Sequence, residues 1–358
     1  MLLRHEVLSR RDTSTEEFLE ESTLEDRPRI AITMGDPAGV GPEIIIKTFQ
    51  DHSVYDFSCP FVIGDANFLR KTSLLLAPEL SINAVSSPQE ASFTPGIIDV
   101  LDLSNILDAI ILGQPGSISG KASVEYIQTS VNLALNYSID AIATAPINKE
   151  SIHLAGYTWP GHTEMLAEFT DTKDVALMLA GDVLRVVITT THVPLSNIQQ
   201  LISCKKITTI IQLTHQWLVE HVTEFPNIAV TGLNPHCGDG GIFGREELTE
   251  IIPALKIAQK KGIKVSGPFS ADSLFAKLKP NQYDAVITMY HDQGMIPVKM
   301  ANRGTSVNVT IGLPIIRTSV DHGTAFDIAG KNRASPESLK LAIRSAAQFT
   351  KPKSNYLR

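Results

Sequence analysis

Cysteine is scarce in this sequence: only Cys59, Cys204 and Cys237 occur among 358 residues. An odd and widely spaced set provides no disulfide framework and favours a reducing compartment, so we expect a cytoplasmic protein. Long apolar runs are missing as well, and no segment approaches the roughly 18 residues that a transmembrane helix needs. The first 28 residues lack the apolar centre of a secretory signal. We expect them to form a flexible extension that could include a short helix around residues 15–21.

An excess of positive charge is also absent, since the formal net charge is -7 and the isoelectric point is near 5.8. This balance argues against a nucleic-acid or membrane partner held by bulk charge. An anionic small substrate is compatible with it, but only if a local basic pocket holds that substrate. The chain is long enough, at 43% hydrophobic residues, to bury a sizeable core in two domains.

Short apolar segments alternate with amphipathic stretches from Arg29 onward. We expect strands at residues 29–33, 61–63, near 82, 99–103, 141–143, 175–179, 185–189, 228–230, 285–288 and, as the last strand, 306–310. We expect helices at residues 43–50, 122–136, 207–222, 245–261 and 336–349, and irregular structure over most of 78–120. This alternation predicts an α/β protein with a mainly parallel sheet. The segment 184–190 follows its predecessor closely enough to form an antiparallel hairpin instead.

Three histidines lie in separate glycine- or turn-rich segments: His162 in Pro-Gly-His-Thr-Glu, His236 in Asn-Pro-His-Cys-Gly and His291 in Met-Tyr-His-Asp-Gln. Each follows an apolar stretch or a tight turn, as do side chains that a parallel sheet delivers to a shared cleft. Three neutral imidazoles form a complete protein ligand set for a divalent metal that keeps positions open for substrate. The simpler alternative is three unrelated surface or core histidines. Cys237, beside His236, is either a fourth soft ligand or a small packing residue.

Four further side chains could build the basic pocket that an acidic protein needs for an anionic substrate. Lys149 enters a helix after a strand, where the positive helix end would add to its charge. Lys299 stands in an apolar context, and the planar fork of Arg317 matches a phosphate or carboxylate in two bonds. Asn308 lies between them along the same stretch. For Lys149 alone, a solvated surface lysine is the competing interpretation.

Two carboxylates lie close in sequence to these segments, Asp272 and Asp292. Either could orient a ligand imidazole or accept a proton from a metal-bound hydroxyl. For Asp272, a turn or helix cap is the alternative. We take Asp272 and Lys149 as the candidate catalytic residues.

Two loops are candidates for holding a cofactor. Residues 36–42 connect a strand to a helix, but Pro42 interrupts the Gly-x-Gly-x-x-Gly spacing, so a Rossmann phosphate cradle is not expected and a plain helix-entry turn is the alternative. Residues 321–331 form a compact stretch that could wrap adenine and ribose with backbone groups. Its candidate contacts are Gly323, Thr324, Ala325 and Asp327.

These segments, taken in order, resemble the 4-hydroxythreonine-4-phosphate dehydrogenase family. The matching stretches are MGDPAGVGPE, TAPINK, GHTE, GLNPHCGDGGIFGREE, GPFSADSLF, YHDQGMIPVK and VNVTIGLPIIRTSVDHGTAFDIAG. The match runs from about Arg29 to the end of the chain. More distantly, GDPAGVGPE and HGTAFDIAGK look like loops of isopropylmalate and isocitrate dehydrogenases, which bind NAD outside the Rossmann scheme.

The resemblance implies a two-domain fold of the isocitrate and isopropylmalate dehydrogenase type with the active site in the interdomain cleft. It implies a cofactor-binding domain of residues 29–145 and 292–358 and a metal-binding and dimerisation domain of residues 146–291. It further implies a homodimer whose active sites lie at the subunit interface.

The implied activity is NAD- or NADP-linked oxidation of 4-phosphooxy-L-threonine, followed by decarboxylation to 3-amino-2-oxopropyl phosphate. The implied metal ligands are His162, His236 and His291, holding zinc, cobalt or magnesium. The implied substrate contacts are Asn148, Lys149, Lys299, Asn308 and Arg317. Asn148 departs from some relatives, which carry histidine at this position, so its role is open.

Other activities fit the same residues. Relatives that resemble this sequence oxidise phosphorylated sugar acids of the threonate or erythronate type, or an aromatic dihydrodiol. A metal-dependent hydrolase or aldolase could use the same histidines, and it would turn over without forming reduced nicotinamide. A non-catalytic binding module would leave the histidines beside anion-binding side chains unexplained.

Overall fold

A computed structural model describes residues 27–107 and 110–350, so the helix expected around residues 15–21 lies outside the described residues. The strands are β1 (Arg29–Thr33), β2 (Cys59–Gly64), β3 (Ser81–Val85), β4 (Ile97–Asp102), β5 (Ala141–Thr144), β6 (Ala176–Gly181), β7 (Arg185–Ile188), β8 (Ile228–Thr231), β9 (Val265–Phe269), β10 (Ala285–Thr288), β11 (Ser306–Ile311) and β12 (Ile316–Ser319). The α-helices are α1 (Gly41–Phe49), α2 (Val54–Phe57), α3 (Ala66–Leu76), α4 (Ser117–Leu135), α5 (Lys149–Leu154), α6 (His162–Phe169), α7 (Leu195–Leu201), α8 (Cys204–His221), α9 (Ile252–Lys260), α10 (Ala271–Lys277), α11 (His291–Asn302) and α12 (Glu337–Thr350). Short 3₁₀ segments cover Pro88–Glu90 and Pro235–Gly241, and a π-helical turn at Glu247–Ile251 leads into α9.

The strands form one twelve-stranded sheet in the order β3-β4-β2-β1-β5-β12-β11-β6-β7-β10-β8-β9. The first six strands of this order are mutually parallel. The last four are also parallel to one another. Between these two blocks, β11 is antiparallel to both β12 and β6, and β6 is antiparallel to β7. The two parallel blocks therefore run in opposite directions.

Strands in the middle of each block are apolar because helices cover both faces of the sheet. All six residues of β2 and all four of β5, β8 and β10 are buried. Helix α12 is amphipathic and packs against β5 and β12 with its buried face. Pro42 in the first turn of α1 has a backbone geometry that suits a helix start, and Glu43 in that turn suits the positive helix end. None of the described helices is both long and apolar enough to cross a membrane.

The structure confirms most of the predicted elements and corrects several. The strand predicted as the last one, β11, is followed by β12, which pairs with β5 and carries Arg317. A charged residue inside a short segment made this strand look like a loop. Helix α4 begins at Ser117, five residues before the predicted start at Ala122. The hairpin alternative at 184–190 is confirmed, since β6 and β7 pair antiparallel.

The expected boundary between the two domains falls between residues 291 and 292, within the first turn of α11. This division assigns nearly all of α11 to the first domain. In the structure α11 packs against β7 and β10, both of which belong to the second parallel block. Strand β11 lies at the junction, between β12 of the first block and β6.

Candidate active site

A cleft of about 950 Å³ crosses the face of the sheet between the two parallel blocks. Leu177 of β6 and Asn308 of β11 form part of its floor. Side chains reach the cleft from the carboxyl ends of strands in both blocks, because the blocks run in opposite directions and the antiparallel pair lies between them. Five basic and two acidic side chains line it: Lys149, Lys173, Lys206, Lys299, Arg317, Glu164 and Asp321. An acidic protein thus has the local basic pocket that its sequence predicts.

His162 is the first residue of α6 and lies on the cleft wall. Its Nε2 atom is buried and has no hydrogen-bond partner among the described residues. Burial holds the pKa of the ring well below its usual value of 6.5, and the nearby charge of Arg317 lowers it further. The imidazole is therefore neutral at pH 7 with an unused ring nitrogen, which is the state that a metal ligand requires.

His291 begins α11 directly after β10 and lines the same cleft. Its Nδ1 atom lies 2.6 Å from Oδ1 of Asp292. A carboxylate on one ring nitrogen fixes the orientation of the imidazole and leaves the other nitrogen for a ligand. Asp292 thus contacts the ring of His291; its role toward a bound metal stays a prediction.

His192 is a candidate site residue that the sequence analysis missed. It follows β7 in Thr-Thr-Thr-His-Val-Pro and lines the cleft, with its ring centroid 5.7 Å from that of His291. Burial lowers the pKa of this imidazole, and the charges of Lys149 and His291 lower it further. The available signal was its place just beyond the carboxyl end of a strand, where parallel-sheet proteins collect functional side chains.

His236 does not line this cleft. It is exposed and belongs to a left-handed turn, with φ values of 52° at His236, 55° at Cys237 and 42° at Asp239. Within residues 27–107 and 110–350, no group of three or more His, Cys, Asp or Glu side chains is arranged to hold a metal. One chain therefore brings together two of the three predicted ligands. Cys237 packs beside Gly232 and Glu247, and burial raises the pKa of its thiol.

Arg317 is the main electrostatic feature of the cleft. The residue is 3% exposed, and its guanidinium donates to the hydroxyl oxygens of Thr144, at 2.6 and 3.2 Å, and of Thr310, at 3.0 Å. No carboxylate within the described part of the chain forms an ion pair with it. Burial lowers the pKa of the guanidinium to about 9, so it is still charged at pH 7. A buried cation at a cleft wall, without a carboxylate partner among the described residues, is suited to bind an anion.

The other predicted substrate contacts surround the same space, with one exception. Lys149, Lys299 and Asn308 all line the cleft. The amide of Asn308 also donates to the backbone oxygen of Val320 at 3.1 Å. Asn148 is not part of the cleft lining; it is the N-cap of α5, and its Oδ1 accepts from the amide of Ser151 at 2.8 Å.

Asp272 lies outside the cleft of its own chain. It is exposed on the first turn of α10, where its carboxylate accepts from the hydroxyl of Ser270. This hydrogen bond lowers the pKa of Asp272, and the charge of His236 contributes in the same direction. The acidic side chains that do reach the cleft are Glu164 and Asp321.

The two candidate cofactor loops lie against each other. The amide of Val40 donates to the backbone oxygen of Thr324 at 3.0 Å. A side chain at Gly39 would collide with Thr324, because its Cβ would lie 2.8 Å from the Cβ of Thr324. Beside them is a largely apolar cavity of about 570 Å³ whose lining includes Gly39, Phe68 and Gly330. Small residues, close backbone contact and an apolar cavity suit the flat ring system of a nucleotide.

Known proteins resemble this chain over most of its length. The chain matches the model of the family described as pyridoxal phosphate biosynthetic protein PdxA over residues 56–346. It is 46% identical over 328 residues to a 4-hydroxythreonine-4-phosphate dehydrogenase of Trichlorobacter lovleyi, covering 90% of this chain and 98% of that one. It is 44% identical over 323 residues to a D-threonate 4-phosphate dehydrogenase of Cupriavidus necator, covering 90% and 97%.

A solved structure supports the same grouping. The crystal structure of a 4-hydroxythreonine-4-phosphate dehydrogenase from Klebsiella pneumoniae superimposes with a TM-score of 0.85 and 41% sequence identity, covering 90% of this chain and all of that one (100%). The relatives are dehydrogenases matched over nearly their full length. The chain therefore belongs to the pyridoxal phosphate biosynthetic protein PdxA family and is an oxidoreductase of the PdxA dehydrogenase type.

Proposed function

We propose that the chain oxidises 4-phosphooxy-L-threonine with NAD or NADP and releases 3-amino-2-oxopropyl phosphate and carbon dioxide. One observation carries most of this proposal: a buried, unpaired guanidinium lies in the same cleft as a neutral imidazole with an unused Nε2. The first feature suits the phosphate or carboxylate of the substrate, and the second suits a metal ligand. The names of the relatives at 46% identity support this choice of substrate.

The phosphate is the natural partner of the most basic part of the cleft. Arg317 can donate two parallel hydrogen bonds to it, while Lys149 and Lys299 supply charge from other walls. The two threonine hydroxyls that hold Arg317 fix the guanidinium before substrate arrives. Asn308 offers an amide beside them. This arrangement would orient the secondary alcohol of the substrate toward the histidines.

Histidine nitrogens are suitable ligands for a divalent metal. We infer that two subunits together supply the full set of metal ligands. His162 and His291 would supply neutral nitrogens from one cleft, and His236 of the partner subunit would supply the third. The position of His236 supports this inference, because it is exposed on a loop outside its own cleft, next to the exposed apolar residues Ile242 and Phe243. Nitrogen ligands favour zinc or cobalt over magnesium. When bound, such a metal lowers the pKa of the substrate alcohol and polarises the ketone formed from it.

The remaining steps fall to the cofactor and to this chain's own side chains. The nicotinamide supplies the hydride acceptor, and the loops around Gly39 and Thr324 would hold its adenosine part through Gly323, Ala325 and Asp327. Lys149 is our candidate for the proton transfers beside the alcohol. Asp272 is a candidate only as a residue contributed from the partner subunit, together with His236. We assign residues 29–145 and 292–358 to cofactor binding and residues 146–291 to metal binding and dimerisation.

One observation supports a second candidate substrate: a relative at 44% identity is named a D-threonate 4-phosphate dehydrogenase. The two substrates differ at the carbon that carries an amino group in one and a hydroxyl in the other. Both would use the same phosphate pocket and the same metal ligands.

The direct test is an assay of the purified chain with NAD or NADP, a divalent metal and each phosphorylated substrate in turn. We expect formation of reduced nicotinamide and release of carbon dioxide with 4-phosphooxy-L-threonine. A strong preference for D-threonate 4-phosphate would replace the proposed substrate by the second one. Product formation without reduced nicotinamide would reject a dehydrogenase and favour a hydrolase or aldolase.

A further inference from the structure

Lys206 is a basic side chain in the cleft to which the sequence analysis gave no role. It lies in the first turn of α8, next to the N-cap Ser203, whose hydroxyl accepts from the amide of Lys206 at 3.3 Å. Its side chain lines the same cleft as His162 and Arg317. Its neighbour Lys205 is exposed and is not part of the lining.

Two physical effects destabilise a charged lysine at this position when no anion is nearby. Partial burial removes water from the ammonium group, and this lowers the pKa of Lys206. The first turn of a helix carries the positive end of the helix dipole, which disfavours a cation there. Helix α8 has no acidic residue in its own first turn, and the carboxylate of Glu250, which accepts from the amide of Cys204 at 2.8 Å, offsets only part of that charge. No carboxylate in the described residues forms an ion pair with Nζ of Lys206.

We propose that Lys206 is a substrate-binding residue that contacts an oxyanion of the substrate from the α8 side of the cleft. An anion placed beside Nζ of Lys206 would offset the lost hydration of the ammonium group. Arg317, with its buried guanidinium in the same cleft lining, would hold another part of the substrate. The inference rests on the proposed function for the identity of the substrate, but not for the presence of the anion site.

The oxyanion could be the phosphate or the carboxylate, since both ends of 4-phosphooxy-L-threonine carry negative charge. A dianionic substrate gains from two cationic groups at different walls of the cleft, because each charge is then paired. Binding of this kind acts equally on the ground state and the transition state. Its loss should therefore raise KM and leave kcat nearly unchanged.

The experiment compares Lys206→Met with the matched control Lys205→Met and with Lys206→Arg. We expect Lys206→Met to raise KM for the phosphorylated substrate about tenfold, as for the loss of one partly exposed charged hydrogen bond. Lys205→Met should behave as wild type, and Lys206→Arg should recover most of the affinity. The melting temperature of Lys206→Met should not fall, which separates binding from folding.

Calorimetric binding of inorganic phosphate and of L-threonine to each variant requires no turnover. Weaker phosphate binding by Lys206→Met assigns Lys206 to the phosphate, and weaker L-threonine binding alone assigns it to the carboxylate. If Lys206→Met binds both probes as wild type does, or if Lys205→Met shows the same loss, the assignment is wrong. A wild-type enzyme that binds phosphate through Lys206 but does not oxidise either substrate would contradict the proposed function and leave this inference standing.

Discussion

Arg317 combines two properties that rarely occur together in a folded protein, burial and the lack of a carboxylate partner among residues 27–107 and 110–350. Hydroxyl groups satisfy part of its hydrogen-bonding capacity, but they do not neutralise its charge. An uncompensated buried charge costs several kcal/mol in effective terms, on the order of magnitude known for buried ions. Such a cost is tolerated where a ligand supplies the missing charge.

Arg317→Met should therefore separate stability from activity. We expect the free energy of unfolding to stay equal or rise, because the variant removes an unpaired buried charge. We expect kcat/KM for the phosphorylated substrate to fall by about two orders of magnitude, since charge-assisted hydrogen bonds contribute about 1.5–3 kcal/mol each. Urea unfolding and steady-state kinetics measure the two effects. Arg333→Met, at an exposed position, is the control and should change neither.

The buried ring of His162 should make the stability of the metal-free protein depend on pH. The pKa of its ring is lower in the folded chain than the usual 6.5, first because of burial. As pH falls below about 6.5, the unfolded chain binds the proton before the folded chain does. The stability contribution of the neutral ring is fully present above that pH and is lost as pH falls toward the folded-state pKa.

The melting temperature of the chelator-treated enzyme should therefore drop between about pH 7 and pH 5. His162→Gln should show a shallower drop over the same interval, because its side chain does not titrate. Scanning calorimetry at fixed ionic strength measures both profiles. Parallel profiles would mean that other groups dominate the loss of stability in acid.

At the scale of the element, α5 shows how a short helix positions a functional side chain. Asn148 closes the first turn by accepting from the amide of Ser151, and the helix begins at Lys149, which lines the cleft. The cap thus fixes the backbone from which the lysine extends. Asn148 can thus position Lys149 through the backbone of α5, even though its own side chain is not part of the cleft wall.

Two substitutions of Asn148 should separate capping from charge. Asn148→Ala loses the cap and should reduce stability by about 1 kcal/mol. Asn148→Asp keeps the acceptor and suits the helix dipole, so its stability should equal or exceed that of wild type. The new carboxylate next to Lys149 should nevertheless raise KM for the anionic substrate. If Asn148→Asp binds substrate as tightly as wild type, the start of α5 lies outside the substrate's reach.

Elements that follow one simple pattern could be predicted from the sequence, and elements that mix patterns could not. Strand β1 is a short apolar run before a loop, and its prediction is confirmed. Strand β12 has nearly the same length, but it contains Arg317, and a buried arginine is uncommon enough to make the segment resemble a loop. Its place beside β5 depends on a pairing over 170 positions away in sequence, which local periodicity cannot reveal.

At the scale of the whole molecule, local sequence patterns likewise predicted only part of the candidate site. Turn-rich segments identified His162 and His291, which do line one cleft, but His192 was missed because its segment has no glycine turn. Lys206 gave no signal at all, since a lysine on a helix is normally a solvated residue. His236 lies outside the cleft; we propose that it reaches the cleft of a second chain, and a single sequence carries little information about such an assembly.

The proposal that two subunits share a metal site makes a prediction that only the whole assembly can test. If His162 and His291 belong to one subunit's cleft and His236 comes from the other subunit, His162→Ala and His236→Ala should each be inactive alone. A heterodimer of these two variants should regain one intact site, because the subunit with the normal cleft receives a normal His236. Random co-assembly gives about half heterodimers, so about a quarter of wild-type activity should return.

The pair His162→Ala and His291→Ala is the matched control. Both substitutions damage the cleft of the subunit that carries them, so every site in their heterodimer lacks one ligand and no activity should return. Co-expression with two affinity tags, followed by tandem purification and an assay of nicotinamide reduction, measures the heterodimer alone, for which half of wild-type activity is expected. Recovery by the control pair would show that His162 and His291 come from different subunits. Failure of both pairs to recover activity would show that all three ligands come from one chain and that the exposed loop at His236 must close onto its own cleft.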